Sequence, residues 1–370
     1  MSLFPDIAPD HSPRRRGNGW LGWSILGIAV VGVTVVAVIP APYVIEVPGP
    51  VYNTLGDVNI SGEMQPMIQI PMEETFPTEG SLDMLTVSIR GNRENLPNWI
   101  EIATAYLDPS KAVVPVDVIY PEGVTVEDSN QQGQIDMANS QKEAVAAALT
   151  SLGYELPVTL TVVSTQDGGP ADGMLLAGDV IESLNGQTFA DVPGLRAAIA
   201  DNGISQPAEV EILRDGVEQT LRINPELSES DPPAAILGII VGSDYEFPFT
   251  VDIQLDNIGG PSAGMMFALG IIDKLTPGPL NGGENVAGTG TITATGEVGP
   301  IGGIRQKMYG AKGAGADWFF APASNCDEVT GHIPAGLTVF SIATLDDALA
   351  ALDAISSSAD TSSLPTCPAN

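Results

Sequence analysis

Ser262 stands in the segment Gly-Gly-Pro-Ser-Ala-Gly, directly before an apolar run that is typical of a helix, Ala263 to Leu275. A hydroxyl at the start of a helix lies beside backbone N–H groups that carry partial positive charge, and such groups can stabilise an oxyanion. The pattern therefore suits a nucleophilic serine. Serine is also a common N-cap residue, and from this fragment alone the N-cap interpretation is favoured.

A nucleophilic serine needs a base, and the sequence offers few. His11 precedes a long apolar segment, and His332 lies in a loop rich in Pro and Gly. The alternative base is a neutral lysine, whose pKa must fall from about 10.4 through burial. Among the five lysines, Lys307 is the one whose helical spacing puts it on an apolar face, with Ile304 and Met308. The competing interpretation is that its amine reaches solvent from the edge of that face.

The segments around these two positions resemble the proteolytic domain of the Lon proteases, over roughly residues 227–352. The resemblance is carried by GGPSAGMMFALGIIDKLT (259–276) and by GTGTITATGEVGPIGGIRQKMYGAKGAGADWFFAP (288–322). That family uses a Ser-Lys dyad, so the resemblance implies that Ser262 is the nucleophile and Lys307 its base. It also implies that Thr289 helps to hold the lysine amine. We expect the backbone N–H groups of Gly260 and Ser262 to stabilise the oxyanion.

The resemblance has one departure and one missing part. Gly259 occupies a position that is usually acidic in the family, and the sequence contains no GxxxxGK[ST] nucleotide-binding motif. We therefore expect an ATP-independent serine endopeptidase that cleaves unfolded or loosely folded polypeptides. Two histidines and two cysteines exclude a three-His zinc site and a Cys-rich metal site, and no cofactor is expected. The family resemblance further implies a homo-oligomer, a hexameric ring.

Residues 157–226 resemble a PDZ domain of the bacterial type. The resemblance is carried by Gly169-Pro170-Ala171, Gly178-Asp179-Val180-Ile181, Asn185-Gly186 and a hairpin around Asp215-Gly216. It implies that the unit captures peptide C-termini along a sheet edge, with a carboxylate-binding loop near Gly153 to Leu156. A module that only spaces other domains is the alternative. For the whole chain, the rival function is a non-catalytic PDZ binding or adaptor protein on a protease-like scaffold.

The N-terminal region predicts a membrane anchor. Residues 20–39 carry no charge, begin with Trp20 and Trp23, and follow three arginines at 14–16. Twenty residues at about 1.5 Å each span a bilayer core, and the arginines place residues 1–19 in the cytoplasm and the rest outside. A cleaved signal peptide and a buried core helix are the alternatives.

The formal net charge of 14 − 46 = −32 argues against nucleic-acid binding.

The predicted fold class is α+β, with a PDZ-like unit and a Lon-type proteolytic domain. Strands are predicted at Ser81–Arg90 and Ala112–Tyr120, and a helix at Met137–Leu149. The PDZ-like unit is interpreted as an insertion into a split protease domain whose first half is residues 80–150. Cys326 and Cys367 either form a disulfide or remain two thiols. The predicted organisation is a cytoplasmic tail (1–19), a transmembrane helix (20–39), an N-terminal region belonging to the protease domain (41–150), the PDZ-like domain (151–226), the Lon-like domain (227–355) and a flexible tail (356–370).

Overall fold

The structure is a computed structural model that describes residues 23–24, 26–27, 37–121, 123, 125–189, 191–228, 233–255 and 258–368. The predicted cytoplasmic segment, and most of the predicted membrane helix over residues 20–39, lie outside these ranges. Within the ranges, no helix combines the length and the apolar character that a membrane crossing requires.

The strands fall into three groups along the chain. The first group is β1 (Tyr43–Asn53), β2 (Asp57–Ile60), β3 (Glu63–Pro66), β4 (Ile68–Gln69), β5 (Ser81–Arg90) and β6 (Ala112–Pro115). The second is β7 (Val158–Thr165), β8 (Val180–Leu184), β9 (Ala208–Arg214), β10 (Val217–Ile223), β11 (Glu226–Leu227), β12 (Ala235–Ile236) and β13 (Ile239–Tyr245). The third is β14 (Asp252–Ile253), β15 (Asn285–Gly288), β16 (Thr291–Ile292), β17 (Val298–Gly299), β18 (Trp318–Pro322) and β19 (Thr338–Ile342).

Helices cover the sheets and carry the site. They are α1 (Trp99–Tyr106), α2 (Val116–Ile119), α3 (Val126–Ser151), α4 (Val192–Asn202), α5 (Gly264–Leu275), α6 (Ile304–Ala314), α7 (Cys326–Val329) and α8 (Leu345–Ser356). The helix predicted at 137–149 is the second half of α3. That helix begins earlier because Thr125 and Asp128 form a reciprocal capping box, which satisfies backbone groups at its N-terminus.

One mixed sheet joins the two ends of the described chain. Its strand order is β19-β18-β15-β5-β1-β6. β15 lies parallel to both β5 and β18, whereas β1 runs antiparallel to β5 and β6. Residues before the PDZ-like unit and residues after it therefore form a single sheet, which is the topology of an inserted unit.

Helices pack on both faces of this sheet, because successive side chains of a strand point to opposite sides. In β5, Leu82 and Met84 face a core built with α3, α5 and α8. Leu85 faces the opposite core, which includes Met308 of α6. The same alternation separates Phe319 from Phe320 in β18. The sheet thus holds α5 and α6, the helices of the two predicted catalytic residues, on its two faces.

The inserted unit is a five-stranded antiparallel sheet in the order β10-β9-β8-β7-β13, covered by α4. The predicted hairpin is present as β9 and β10, and its turn residues Asp215 and Gly216 have φ of 52° and 78°. The predicted boundary at residue 226 is wrong. β13 pairs with β7 across some eighty residues, so the unit extends to Tyr245 and not all of 227–355 belongs to the protease domain.

Two further predictions need correction. The strand predicted over 112–120 ends at Pro115, which is the N-cap of the short α2. The prediction of a flexible tail is wrong for residues 356–368, the part of it that the structure describes. Cys367 is buried and disulfide-bonded to Cys326, and Thr366 pairs with Phe340 of β19, which fastens this segment to the sheet edge.

Candidate active site

Ser262 lies two residues before the first residue of α5. The N-cap of this helix is Ala263, and no side chain caps it, so the N-cap interpretation of Ser262 is wrong. The hydroxyl is therefore available for other contacts. The backbone of Ser262 is firmly held, because its carbonyl accepts a hydrogen bond from Gly290 N (2.9 Å) and another from Thr289 Oγ1 (2.9 Å).

Lys307 lies on α6, which packs against β1 and β5. Its side chain is 2% exposed and shares the buried face with Ile304, Met308 and Ala311, so the predicted burial of this lysine is confirmed. Burial removes water from the ammonium group and lowers the pKa of Lys307 to about 7. At neutral pH a large share of this amine is therefore neutral and able to accept a proton.

The structure brings Ser262, Lys307 and Thr289 together. Lys307 Nζ lies 2.8 Å from Ser262 Oγ and 2.9 Å from Thr289 Oγ1. The hydroxyl hydrogen of Thr289 is directed to the carbonyl of Ser262, so Thr289 can only accept from the lysine. A neutral amine that donates to Thr289 keeps its lone pair for the hydroxyl of Ser262. The contacts thus orient the lysine as an acceptor.

His332 lies elsewhere in the fold and contacts its own loop. Its Nδ1 is 2.9 Å from the carbonyl oxygen of Thr330. No group of three or more His, Cys, Asp or Glu side chains that could hold a metal ion occurs in the described part of the chain.

The two predicted oxyanion donors differ in their availability. The N–H of Gly260 donates to the carbonyl of Gly133 in α3 at 2.7 Å, so it is already used and the prediction for Gly260 is corrected. The N–H of Ser262 has no acceptor among the described residues. The N–H of Ser262 is therefore the donor that could meet an oxyanion.

The same contact explains Gly259. A Cβ atom on Gly259 would lie 2.9 Å from the carbonyl carbon of Gly133, closer than real Cβ atoms approach backbone. Gly133 in turn lies in the middle of α3, where glycine is otherwise unfavourable. The paired glycines let the loop before Ser262 lie directly on α3. An aspartate in place of Gly259 would not fit this arrangement.

A cleft of 570 Å³ opens over Ser262 and Lys307. It is lined by Tyr52 of β1, residues 84–88 of β5 and Met137 of α3. β5 pairs with β15 only up to Met84, and beyond it the strand edge opposite β1 has no strand partner in the described ranges. The first half of the chain thus supplies the cleft wall, and the second half supplies the reactive groups.

The inserted unit carries a second groove, of 560 Å³, between α4 and β13. Leu195 and Ile199 of α4 line one side, and residues 235–241 line the other. β13 is the edge strand of its sheet. The carboxylate-binding loop predicted at Gly153 to Leu156 is therefore misplaced, because those residues precede β7, an interior strand. The segment that leads into the edge strand is β12 followed by Leu237 and Gly238, with the sequence Ala-Ile-Leu-Gly over 235–238.

The half-buried carboxylate of Glu143 connects β13 to the core on the α3 side of the six-stranded sheet. Glu143 of α3 accepts hydrogen bonds from Tyr245 (3.1 Å) and Ser243 (3.2 Å) of β13 and from the N–H of Ala294 (2.8 Å). Burial raises the pKa of Glu143. One helix, α3, therefore contacts both the groove strand and the loop that carries Ser262.

Comparison with known proteins agrees with both units. The model of the Lon protease (S16) C-terminal proteolytic domain matches residues 257–353, and the PDZ domain model matches residues 123–224. Lon protease 1 of Sorangium cellulosum is 38% identical over 94 residues, which are 25% of this chain and 11% of that protein. The Lon protease of Geobacter metallireducens is 40% identical over 94 residues, with the same shares. The chain thus spans about a tenth of the length of these curated relatives.

Among solved structures, the PDZ domain of the SdrC-like protein of Listeria innocua covers 22% of this chain and 92% of that chain, with 20% identity and a TM-score of 0.21. The PDZ assignment rests on the family model. The match to the PDZ family model begins before α3 and ends at β10. The five-stranded sheet of the inserted unit also includes β13 (Ile239–Tyr245), which lies beyond that match.

The fold and the site together define the class: a mixed α+β chain whose residues 257–353 match the Lon protease C-terminal proteolytic domain and whose residues 123–224 match the PDZ domain. Several Lon proteases match the C-terminal domain at about 35–40% identity, which supports a serine peptidase.

Proposed function

We propose that this protein is an ATP-independent serine endopeptidase that uses Ser262 as nucleophile and Lys307 as base. The observation that carries the proposal is the position of Lys307 Nζ, 2.8 Å from Ser262 Oγ in a buried site that lowers the pKa of the amine to about 7. A serine needs such a base to attack a peptide carbonyl near neutral pH.

Acylation begins when Ser262 Oγ attacks the carbonyl carbon of the scissile peptide bond and gives its proton to neutral Lys307. The oxyanion that forms is stabilised by the N–H of Ser262. The lysine then returns the proton to the leaving nitrogen as the C–N bond breaks. The products of this half-reaction are a free amine and an ester of Ser262.

Deacylation repeats these steps with water. Lys307 takes a proton from the water molecule, whose oxygen attacks the ester carbonyl. The proton passes to Ser262 Oγ as the ester bond breaks, which releases a carboxylic acid and restores the neutral dyad. Thr289 keeps the amine oriented throughout, because it accepts one N–H of Lys307 and donates its own hydrogen to the carbonyl of Ser262.

The cleft favours an extended polypeptide as substrate. The free edge of β5 beyond Met84 lies in the cleft wall, where a substrate segment could add as a strand. A folded domain does not offer such a segment, so unfolded or loosely folded proteins are the proposed substrates. The 370 residues contain no GxxxxGK[ST] motif, and every step above proceeds without ATP.

Cleavage of an unfolded protein tests this function. The purified full chain, without ATP, should cut a reduced and carboxymethylated protein into fragments that mass spectrometry identifies. The Ser262→Ala and Lys307→Ala variants should each be inactive. Lys312→Ala is the matched control, because Lys312 lies on the same helix, is partly exposed and pairs with Asp317. Normal cleavage by either dyad variant would remove the mechanism.

We further propose that the groove between α4 and β13 binds peptide C-termini. A free strand edge beside an apolar helix face is the arrangement that adds a peptide as an extra strand.

If the chain only binds peptides, as the adaptor alternative requires, a fluorophosphonate probe should leave Ser262 unlabelled. Labelling of wild type but not of Lys307→Ala would favour the peptidase. Ile199→Asp should abolish peptide binding without affecting probe labelling.

Attachment to the cytoplasmic membrane, with the N-terminus inside and the catalytic part outside, is proposed from residues 20–39 and the preceding arginines. An added protease should then digest the catalytic part in intact spheroplasts while an N-terminal epitope survives.

The hexameric ring is proposed from the Lon resemblance alone, and analytical ultracentrifugation of the detergent-solubilised chain tests it. A monomer in that experiment would reject the ring.

A further inference from the structure

Ser140 makes an unusual contact for a serine inside a helix. Such a hydroxyl usually donates to the carbonyl of its own helix four residues earlier. Here Ser140 of α3 is 5% exposed, and its hydroxyl donates instead to the carbonyl of Pro261, at 2.8 Å. The two residues are 121 positions apart and lie on opposite sides of the inserted unit in the sequence.

The carbonyl of Pro261 and the N–H of Ser262 belong to the same peptide group. In a planar trans peptide the two bonds point in opposite directions. A hydrogen bond that fixes the direction of the carbonyl therefore fixes the direction of the N–H. Since the carbonyl points at α3, the N–H of Ser262 points away from α3. That N–H is the donor left without an acceptor among the described residues.

The surroundings of Ser140 leave room for this contact. A Cβ atom on Gly264 would lie 2.9 Å from Ser140 Oγ, so the glycine makes space for the hydroxyl. The peptide on the other side of Ser262 is held in the same way, since Thr289 donates to the carbonyl of Ser262 at 2.9 Å. Both peptide groups that flank the nucleophile thus accept a hydroxyl from outside its loop, in addition to the N–H of Gly264 (3.4 Å) on the carbonyl of Pro261 and the N–H of Gly290 (2.9 Å) on the carbonyl of Ser262.

We propose that Ser140 is a positioning residue that orients the N–H of Ser262 toward the oxyanion, an inference that rests on the proposed peptidase function. The bond also polarises the peptide group, which makes the N–H a better donor when negative charge develops on the substrate. Ser140 contacts neither the substrate nor the reacting atoms. Its effect therefore belongs to the transition state and not to substrate binding.

Kinetics of the full chain with a fluorogenic peptide test the proposal. Ser140→Ala should lower kcat by about tenfold to a hundredfold and leave KM within about twofold, because removal of a whole oxyanion donor costs about 100-fold to 1000-fold. Ser140→Thr keeps the hydroxyl and should recover most of the activity. Ser151→Ala, an exposed serine at the end of the same helix, is the matched control and should behave as wild type.

Two further readouts separate positioning from a general loosening of the fold. The pH at which kcat/KM is half-maximal should be unchanged in Ser140→Ala, because the surroundings of Lys307 are unaltered. Affinity for a peptide boronate, whose tetrahedral adduct on Ser262 mimics the oxyanion, should fall by the same factor as kcat. An unchanged kcat, or a loss confined to KM, would overturn the proposal. So would an equal loss in Ser140→Thr, or a shifted pH profile. An inactive wild type would instead reject the proposed function itself.

Discussion

Replacement of Lys307 by methionine should remove the proposed activity and stabilise the folded chain at neutral pH. Burial lowers the pKa of this amine from 10.5 to about 7. At about 1.4 kcal/mol for each tenfold change in acidity, the buried amine reduces stability by about 4 kcal/mol at pH 7, where half of it is already neutral. Methionine also loses the hydrogen bonds to Ser262 and Thr289, each of which contributes about 1 kcal/mol to stability. The unfolding free energy of Lys307→Met at pH 7 should therefore exceed that of wild type by about 2 kcal/mol.

The sign of the pH dependence follows from the two pKa values. The unfolded chain keeps the proton of Lys307 up to 10.5, whereas the folded chain loses it at about 7. Between these values unfolding takes up a proton, so the wild type becomes more stable as the pH rises. Methionine does not titrate. The advantage of the variant should therefore shrink by about 2 kcal/mol between pH 7 and pH 9, nearly to zero.

Urea denaturation at several pH values measures this difference. Trp318 of β18, which stacks on Phe340, can serve as the single fluorophore once the other three tryptophans are replaced by phenylalanine. Lys312→Met is the control, because the amine of Lys312 is partly exposed and ion-paired with Asp317. The stability prediction would be refuted if Lys307→Met were less stable than wild type at pH 7 and if the difference in unfolding free energy between them did not change with pH. That result would mean that burial does not lower the pKa of Lys307.

Three other predictions concern the same domain. The cleavage rate should rise about tenfold from pH 6 to pH 8, as the neutral fraction of Lys307 grows from about 9% to about 90%; stopped assays across this range measure it. Gly259→Asp should lower the unfolding free energy by about 1–3 kcal/mol, because its Cβ would collide with Gly133, and thermal unfolding reports the loss. Serine at both Cys326 and Cys367 should cost about 4 kcal/mol, since the disulfide closes a 41-residue separation, and the urea midpoint should fall accordingly.

Each of these predictions has a clear contrary result. A rate that is flat between pH 6 and pH 8 would mean that the base titrates outside that range. A Gly259→Asp variant with an unchanged melting temperature would mean that the loop does not rest on α3. Equal urea midpoints with and without a reducing agent would mean that the disulfide adds nothing to the fold.

The burial of Lys307 could be predicted from the sequence because its signal is local, whereas the pairing of Lys307 with Ser262 was implied by the Lon resemblance. Lys307 follows the helical spacing of Ile304 and Met308, and the spacing alone places it on the buried face. Strand β5 has the predicted bounds, Ser81–Arg90, for the same reason, since its apolar residues form a short local pattern. The N-cap interpretation of Ser262 was wrong because a fragment does not reveal where the helix begins.

The domain boundary and the contacts around Ser262 could not be predicted, because they depend on residues that are distant along the chain. β13 pairs with β7, which lies more than seventy residues earlier in the sequence, so the sequence alone suggested a boundary that is about twenty residues too early. Ser140 and Gly133 are ordinary residues of a polar helix, and nothing near them indicates that the loop of Ser262 lies against them. Gly260 was predicted as a free donor for the same reason.

The pairing of β5 with β15 sets the order in which the protein can be assembled. Their contact joins Ser81 to Asn285, 204 residues apart, with the inserted unit synthesised in between. At about 5–20 residues per second, β5 waits about 10–40 s for its partner, while the inserted unit, whose contacts are more local, can already fold. Chains halted before residue 285 should therefore resist limited proteolysis in the inserted unit and be cut near β5. Because Ser262 and Lys307 both follow the inserted unit in the sequence, a growing chain contains the β5 wall of the cleft before it contains the two residues of the proposed dyad. The proposed hydrolysis can therefore begin only after residue 307 has been synthesised.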